Sequence, residues 1–359
     1  MKFLELSGTP FEIGRQHGEQ AKEEIHISLN SYEKLFYEWG KFAWKDAAEQ
    51  AKQYIDYIDR VDETFLEEID GIAKGAGVDF SDILILNARS EIALTMPNTL
   101  DGCTSVAVLP PFADSAYLAQ NWDWRGAQFN ATLGLRIAQK NRPAIQMITE
   151  AGIIGKIGFN EKGLGVCLNA IRATVAENYL PLHLGLRLVL NSDNIEEAAQ
   201  LVSENKIASA ANFLMAQDDG KSQATAINME VSPLGNDFKQ TSDRYVYHTN
   251  HLCSNAIIEK IGQKNLSTTD NTYLRFDRMK ELLQEQDKGG APATQEDVRR
   301  WLSDHKNKPF SICRHKEPGS SDFTNTITIF SVIMDLPKKT MLYLGGQPCS
   351  PTLEKTLTL

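Results

Sequence analysis

The chain has 359 residues, 42% hydrophobic and 23% charged, with a formal net charge of -10, the balance of a globular protein with a sizeable core. That charge and the lack of any basic run argue against a nucleic-acid partner, and no stretch has the apolar length of a membrane span. MKFLELSGTP reaches Gly8 and Pro10 before a signal-like apolar run can form, and Leu357-Thr358-Leu359 is no peroxisomal address, so the expected location is cytoplasmic.

In chain order, Phe11 to about Phe36 and Ala47 to Gly71 carry apolar residues at helical spacing, among them Tyr54, Ile58, Val61, Phe65 and Ile69. Ser81 is the expected N-cap of a helix through ILILNARSEIAL, and Met96-Pro97-Asn98 breaks it. At Asp101 the pattern changes. SVAVLP (105–110) and AYLAQNW (116–122), joined by PPFADS, read as a hairpin. IIGKIGFN and GLGVCLNAI flank the turn Asn160-Glu161-Lys162-Gly163 and predict another. Leu182 to Leu190 and Ile195 to Ile207 read as helices; FLMAQDD, ATAINMEV and RYVYHTN read as strands. A helix over Thr268 to Gln286, capped by Ser267 or Thr268, precedes the strands TITIFSVIMD and TMLYLGG. That order predicts an α+β fold of antiparallel sheets covered by helices.

No Ser/Gly/Pro-rich linker accompanies the change at Asp101-Gly102-Cys103, so an ordinary domain joint does not explain it. A thiol at the start of a strand, preceded by glycine, is laid out to attack the carbonyl before it. Gly102 has no Cβ and tolerates a strained φ. An N-to-S acyl shift and hydrolysis would free Cys103 as a new N-terminus. Its α-amine, with a reference pKa of about 7.7–8.0, can take the proton of its own thiol without a histidine base. Cleavage there would give residues 1–102 as a mainly helical chain and 103–359 as a β-rich chain. The hairpin returns in Gln120-Asn121-Trp122-Asp123 and brings the Asp123 carboxylate beside the start of the strand, where it can orient the ammonium or thiol. The alternative is an ordinary turn with a core cysteine. The five cysteines, at 103, 167, 253, 313 and 349, form no CxxC pair and read as reduced thiols. His248 and His251 have no ligand cluster with them, so no metal is expected.

The sequence resembles the acyl-coenzyme A:6-aminopenicillanate acyltransferases, or isopenicillin N acyltransferases, within the cysteine N-terminal-nucleophile hydrolases. The likeness is carried by GTPFEIGRQHG (8–18), EEIDGIAKGAG (67–77), LNARSE (86–91), DGCTS (101–105) and QNWDW (120–124). ITEAGIIGKIGFN (148–160), HTNH (248–251) and PFSICR (309–314) continue it in the same order over most of the chain. The resemblance implies the four-layer αββα sandwich of that superfamily, with the chains 1–102 and 103–359 intertwined in one domain as a cleaved heterodimer. It makes Cys103 the autoprocessing residue and nucleophile, Gly102 the residue before the cut, and Asp123 the orienting carboxylate. It also implies Asn250 as amide donor to the oxyanion, Asn169 as a second polar contact there, and Arg314 as an aid to thiol activation or processing.

The sequence departs from the penicillin-making members at Ser105, where they carry threonine, and at Trp124-Arg125, where they carry Phe-Phe. These differences bear on the substrate and leave the chemistry intact. The expected activity is that of a cysteine amidohydrolase or acyltransferase working through a Cys103 thioester on a small amide or acyl substrate. One form of it is acyl-CoA:6-aminopenicillanate transfer, with acyl-CoA as co-substrate and no resident cofactor; no phosphate-cradling loop is visible. The alternatives are a hydrolase of N-acyl amines or dipeptide-like conjugates without CoA, and a non-catalytic binding protein retaining the fold. His17 and His183 are expected to pack or hydrogen-bond, with His248 and His251 shaping the strand end around Asn250. Trp122, Trp124 and Phe129 are expected in an acyl pocket or the core, and Arg125 on an exposed hairpin.

Overall fold

The computed structural model describes residues 1–94, 96, 102–173, 176–262 and 271–359. Strand β1 (Lys2–Gly8) leads into helices α1 (Pro10–Gln20), α2 (Lys22–Gly40), α3 (Trp44–Lys52), α4 (Ile55–Asp62), α5 (Thr64–Ala76), α6 (Phe80–Asn87) and α7 (Arg89–Leu94). Strands β2 (Gly102–Val108), β3 (Tyr117–Arg125), β4 (Thr132–Gln139), β5 (Ile145–Glu150), β6 (Ile157–Asn160) and β7 (Leu164–Ala170) follow. Next come α8 (Leu182–Asn191), α9 (Ile195–Glu204), β8 (Ala211–Gln217), β9 (Thr225–Ser232), β10 (Gly235–Thr241) and β11 (Tyr245–His248). The chain closes with α10 (Asn255–Ile261), α11 (Asn271–Gly289), α12 (Gln295–Leu302), β12 (Thr326–Asp335), β13 (Thr340–Gly345) and β14 (Leu353–Thr358).

The strands form an eight-stranded sheet, β1-β4-β5-β6-β7-β8-β9-β10, and a six-stranded sheet, β11-β2-β3-β12-β13-β14. The sheets stack face to face, β2 and β3 lying over β7 and β8. Alternation along β2 separates two cores. Cys103 and Ala107 join the main core between the sheets and the earlier helices. Val106 and Val108 join a second core with Met279, Leu283, Val298 and Trp301 of α11 and α12. The result is the expected α+β arrangement, helices outside two stacked sheets.

The segment before Cys103 is built into this core. β1 runs parallel to β4, Lys2 opposite Leu133 and Gly8 opposite Gln139, and buries Leu4 and Leu6. The start of α1 is fixed by Thr9, which accepts from Glu12 N and whose own N–H donates to Glu12 Oε2 at 2.8 Å. Helices α1 and α5 touch backbone to backbone through glycines: a Cβ on Gly14 would lie 2.0 Å from Glu68 O, and one on Gly75 2.3 Å from Arg15 O. This close crossing explains why the blocks GTPFEIGRQHG and EEIDGIAKGAG are rich in glycine.

Several sequence expectations change. The stretch Phe11–Phe36 is two helices that break at Ala21, and Ala47–Gly71 runs through three. Asp79, and not Ser81, caps α6, because Asp79 and Asp82 can bond reciprocally across the first turn. The last long helix is described from Asn271, and its expected caps Ser267 and Thr268 lie outside the described residues, as do Pro97, Asn98 and Asp101. Strands β1, β4, β5, β10 and β14 escaped the sequence reading. Among the described residues no helix is long and apolar enough to cross a membrane.

Candidate active site

Strand β2 begins at Gly102 and pairs antiparallel with β3, which sets Gly102 opposite Asp123 and Cys103 opposite Trp122. The hairpin expected from the sequence is therefore present, and its register decides which groups meet. Cys103 is buried and its side chain belongs to the inter-sheet core. Gly102 turns the other way. A Cβ built on it would lie 2.7 Å from Arg314 Nη1 and 3.2 Å from Asp123 Oδ2, so any larger residue must displace the end of the Arg314 side chain. Asp123 and Arg314 thus flank the backbone of Gly102, on the face of β2 away from the thiol.

Arg314 is fixed through β12. Its N–H donates to Thr328 Oγ1 at 3.0 Å, and Thr328 N donates back to Arg314 O at 3.1 Å. The same hydroxyl donates to Asp123 Oδ1 at 2.7 Å, so Thr328 couples the two groups that enclose Gly102.

The peptide of Cys103 is held at both ends. Its N–H donates to Asn250 Oδ1 at 2.8 Å, and its carbonyl accepts from Arg275 Nη1 of α11. Arg275 Nη2 also donates to Asn250 Oδ1, at 2.9 Å. With two donors on its oxygen, the Asn250 amide must point its nitrogen away, and Nδ2 donates to Ala170 O at 2.9 Å. Asn250 therefore faces Cys103 with the acceptor end of its amide. Arg275 was not singled out from the sequence, because only the folding of α11 brings it to a residue 172 positions away.

On the inter-sheet side stands a buried cluster of charge. Lys156 Nζ lies 3.7 Å from the centre of the Trp122 ring, next to Cys103 in the ladder. It donates to Glu150 Oε2 at 2.5 Å, which also accepts from Arg89 Nη2 at 2.6 Å, while Tyr32 donates to Oε1. Burial works against the Glu150 carboxylate, but Arg89 and Lys156 outweigh it and hold its pKa at about 2. Burial brings Lys156 down to about 8 against the pull of Glu150, and Cys103, when ionised, is among the groups favouring its protonated form. Arg89, Glu150 and Lys156 stand inside the blocks LNARSE and ITEAGIIGKIGFN, where a buried run of charges between apolar residues was the available signal.

The remaining candidates divide. Asn169 reaches Ser105 Oγ at 2.5 Å and Asn212 Nδ2 at 3.4 Å, so it meets β2 two residues beyond Cys103. His17 accepts from Gly152 N at 3.1 Å, and His183 bonds Gly155 O at 2.9 Å. His248 has acceptors at both ring nitrogens, Thr249 O and Glu230 Oε1, each at 2.8 Å. Burial would lower its pKa, but bonds to Cys253 and Glu230 raise it to about 9. Trp122 and Trp124 stack in the main core, and Phe129 packs against it. Arg125 is not exposed: it is buried, bonds Thr324 O and lies over Trp39. Burial and the neighbouring Arg314 lower it to about 10. The end of β3 packs against Trp39 of α2, which a sequence reading of the turn alone does not reveal.

The architecture is that of an N-terminal-nucleophile hydrolase. It matches a mutant of the conjugated bile acid hydrolase from Clostridium perfringens with a TM-score of 0.50, over 72% of this chain and 92% of that one, at 12% identity. The family model described as acyl-coenzyme A:6-aminopenicillanic acid acyl-transferase matches residues 112–349. The 40 kDa form of acyl-coenzyme A:6-aminopenicillanic-acid-acyltransferase from Emericella nidulans is 33% identical over 355 residues, 98% of this chain and 94% of that protein. The chain belongs to the acyl-coenzyme A:6-aminopenicillanic acid acyl-transferase family, a family of acyl transfer or amide hydrolysis.

Proposed function

We propose that the chain is a self-cleaving precursor, and that Cys103 of the processed enzyme carries acyl groups as a thioester. The reading rests on the enclosure of the Gly102–Cys103 junction by Asn250 and Arg275 on the Cys103 peptide and by Arg314 and Asp123 around Gly102. In processing, Cys103 Sγ attacks the Gly102 carbonyl carbon. The C–N bond breaks, and the nitrogen leaves with the thiol proton as the α-amine of Cys103. Water then hydrolyses the Gly102 thioester, giving the Gly102 carboxylate and a free thiol. Asn250 Oδ1 already accepts from that nitrogen and can keep it as an ammonium, while Asp123 faces the place that Gly102 vacates. Residues 1–102 and 103–359 then remain together as a heterodimer, tied by the β1–β4 ladder.

In turnover the α-amine takes the thiol proton, and the thiolate attacks the acyl donor. Arg314 and Lys156 supply positive charge on opposite sides of Cys103, which favours the thiolate. For the oxyanion role Asn250 Nδ2 exchanges Ala170 O for the substrate oxygen, a contact worth about 10²–10³ in rate. Asn169 braces that side through Ser105. The leaving amine or CoA thiol takes the ammonium proton, and an amine or water then attacks the thioester and regenerates Cys103.

Family membership favours an acyl-CoA donor and a 6-aminopenicillanate-like acceptor. The test is a panel on the processed enzyme: acyl-CoAs with 6-aminopenicillanate, penicillins with water, and N-acyl amino acids with water. The reading expects the first pair to give penicillin. Turnover of N-acyl amino acids alone would make the protein a hydrolase without CoA; inertness throughout would support a binding protein.

A further inference from the structure

His305, Cys313, His315 and Cys349 come from three separate segments: the turn after α12, the run into β12, and the loop after β13. Their ligand atoms converge. Cys313 Sγ and Cys349 Sγ are 3.7 Å apart. His315 Nε2 lies 3.5 Å from the first and 3.3 Å from the second. His305 Nε2 lies 3.0 Å from His315 Nε2, and all four atoms fall within 4.8 Å of one another.

Four of the six separations come within about 0.3 Å of the edges of a metal tetrahedron. With Zn–S near 2.3 Å and Zn–N near 2.05 Å, the tetrahedral angle requires edges of about 3.8 Å for S···S, about 3.6 Å for S···N and about 3.3 Å for N···N. The sulfurs are far too distant for a disulfide, whose bond is about 2.05 Å. Two sulfurs and two imidazole nitrogens form a donor set that favours zinc over magnesium or calcium, which take oxygen. No single stretch of sequence carries the pattern, since the fourth ligand follows the third by 34 residues; the sequence reading found no metal spacing for that reason.

We propose that these four side chains bind one zinc ion. Both thiols lose their protons on binding, and two thiolates balance the charge of the metal. Four protein ligands close the coordination sphere, so the site is structural and holds no water for catalysis. Cys313 and His315 are the immediate neighbours of Arg314. The ion therefore ties both sides of Arg314 to the end of α12 and to the loop after β13. A backbone bond already assists, from Cys313 N to Asp304 O at 3.0 Å, next to His305.

The proposal is tested without reference to activity. The full chain, carrying no polyhistidine tag, is purified with its thiols reduced and its metal content is measured by mass spectrometry. About one zinc per chain is expected, lost in Cys349→Ser and in His315→Ala, whose residues are exposed and whose replacement spares the core. The cobalt(II)-substituted wild type should show the intense visible absorption of a tetrahedral thiolate complex, which reads the site even if a variant fails to fold. The proposal is overturned if the reduced wild type takes up no stoichiometric zinc or cobalt. It is equally overturned if folded Cys349→Ser retains its zinc, or if thiol trapping shows Cys313 and Cys349 joined as a disulfide in freshly isolated protein.

Discussion

Gly102 and Asp123 face each other across the β2–β3 ladder, and the space above Gly102 is filled by the Arg314 guanidinium. A methyl group on residue 102 would come within 2.7 Å of Arg314 Nη1. Gly102→Ala is therefore expected to fold, since the obstructing atom ends a long side chain, at an overpacking cost of about 1–3 kcal/mol. Arg314 must shift, and cleavage after residue 102 should slow by at least about tenfold, the equivalent of 1.4 kcal/mol. A time course of precursor against fragments on a denaturing gel measures this. Cleavage at the wild-type rate would remove Arg314 from the processing mechanism.

Asn250 presents its oxygen to Cys103 N and its nitrogen to Ala170 O, which allows its two roles to be separated. Asn250→Ala should slow acyl transfer by about 10²-fold and also delay processing. Asn250→Asp keeps an acceptor for Cys103 N but has no donor for an oxyanion. It should process more readily than the alanine variant yet remain as slow in acyl transfer. Equal turnover of Asn250→Asp and wild type would exclude Asn250 from the oxyanion site.

Glu150 is the shared counter-ion of two buried cations, Arg89 and Lys156. Glu150→Gln leaves both charges without their counter-ion and is expected to cost on the order of 3–5 kcal/mol in denaturant unfolding. The sign of the pH effect follows from the depressed carboxylate. Its contribution is fully present above the ordinary carboxylate value of 4.5 and disappears as pH falls towards about 2. Wild-type stability should accordingly fall more steeply than that of Glu150→Gln between those limits. Parallel curves would mean that Glu150 is not held ionised by its neighbours.

The parts of this site legible in the sequence are those made locally. The β2–β3 hairpin needs only two apolar runs and a Pro-rich turn, and its return places Asp123 beside Gly102 without further information. Asn250 and Arg314 became candidates only through resemblance, because each lies on a segment whose approach to Cys103 depends on the whole six-stranded sheet. Arg275 had no local signal: on α11 it looks like any helix arginine. β1 has no local partner to mark it, its two inward leucines finding a partner strand some 130 residues on, at Leu133 to Gln139. The two N-terminal stretches are legible as helical from their apolar spacing, but that spacing runs on through the breaks at Ala21 and between α3, α4 and α5.

The central claim is the bond between Gly102 and Cys103, and intact-mass spectrometry of the purified protein tests it most directly. The account predicts two species, residues 1–102 and 103–359, which together make up the 40.1 kDa chain plus one water. Cys103→Ala should give one uncut 40.1 kDa chain without acyl transfer activity. A wild-type chain that stays whole while active, or a Cys103→Ala chain that is cut after Gly102, would contradict it.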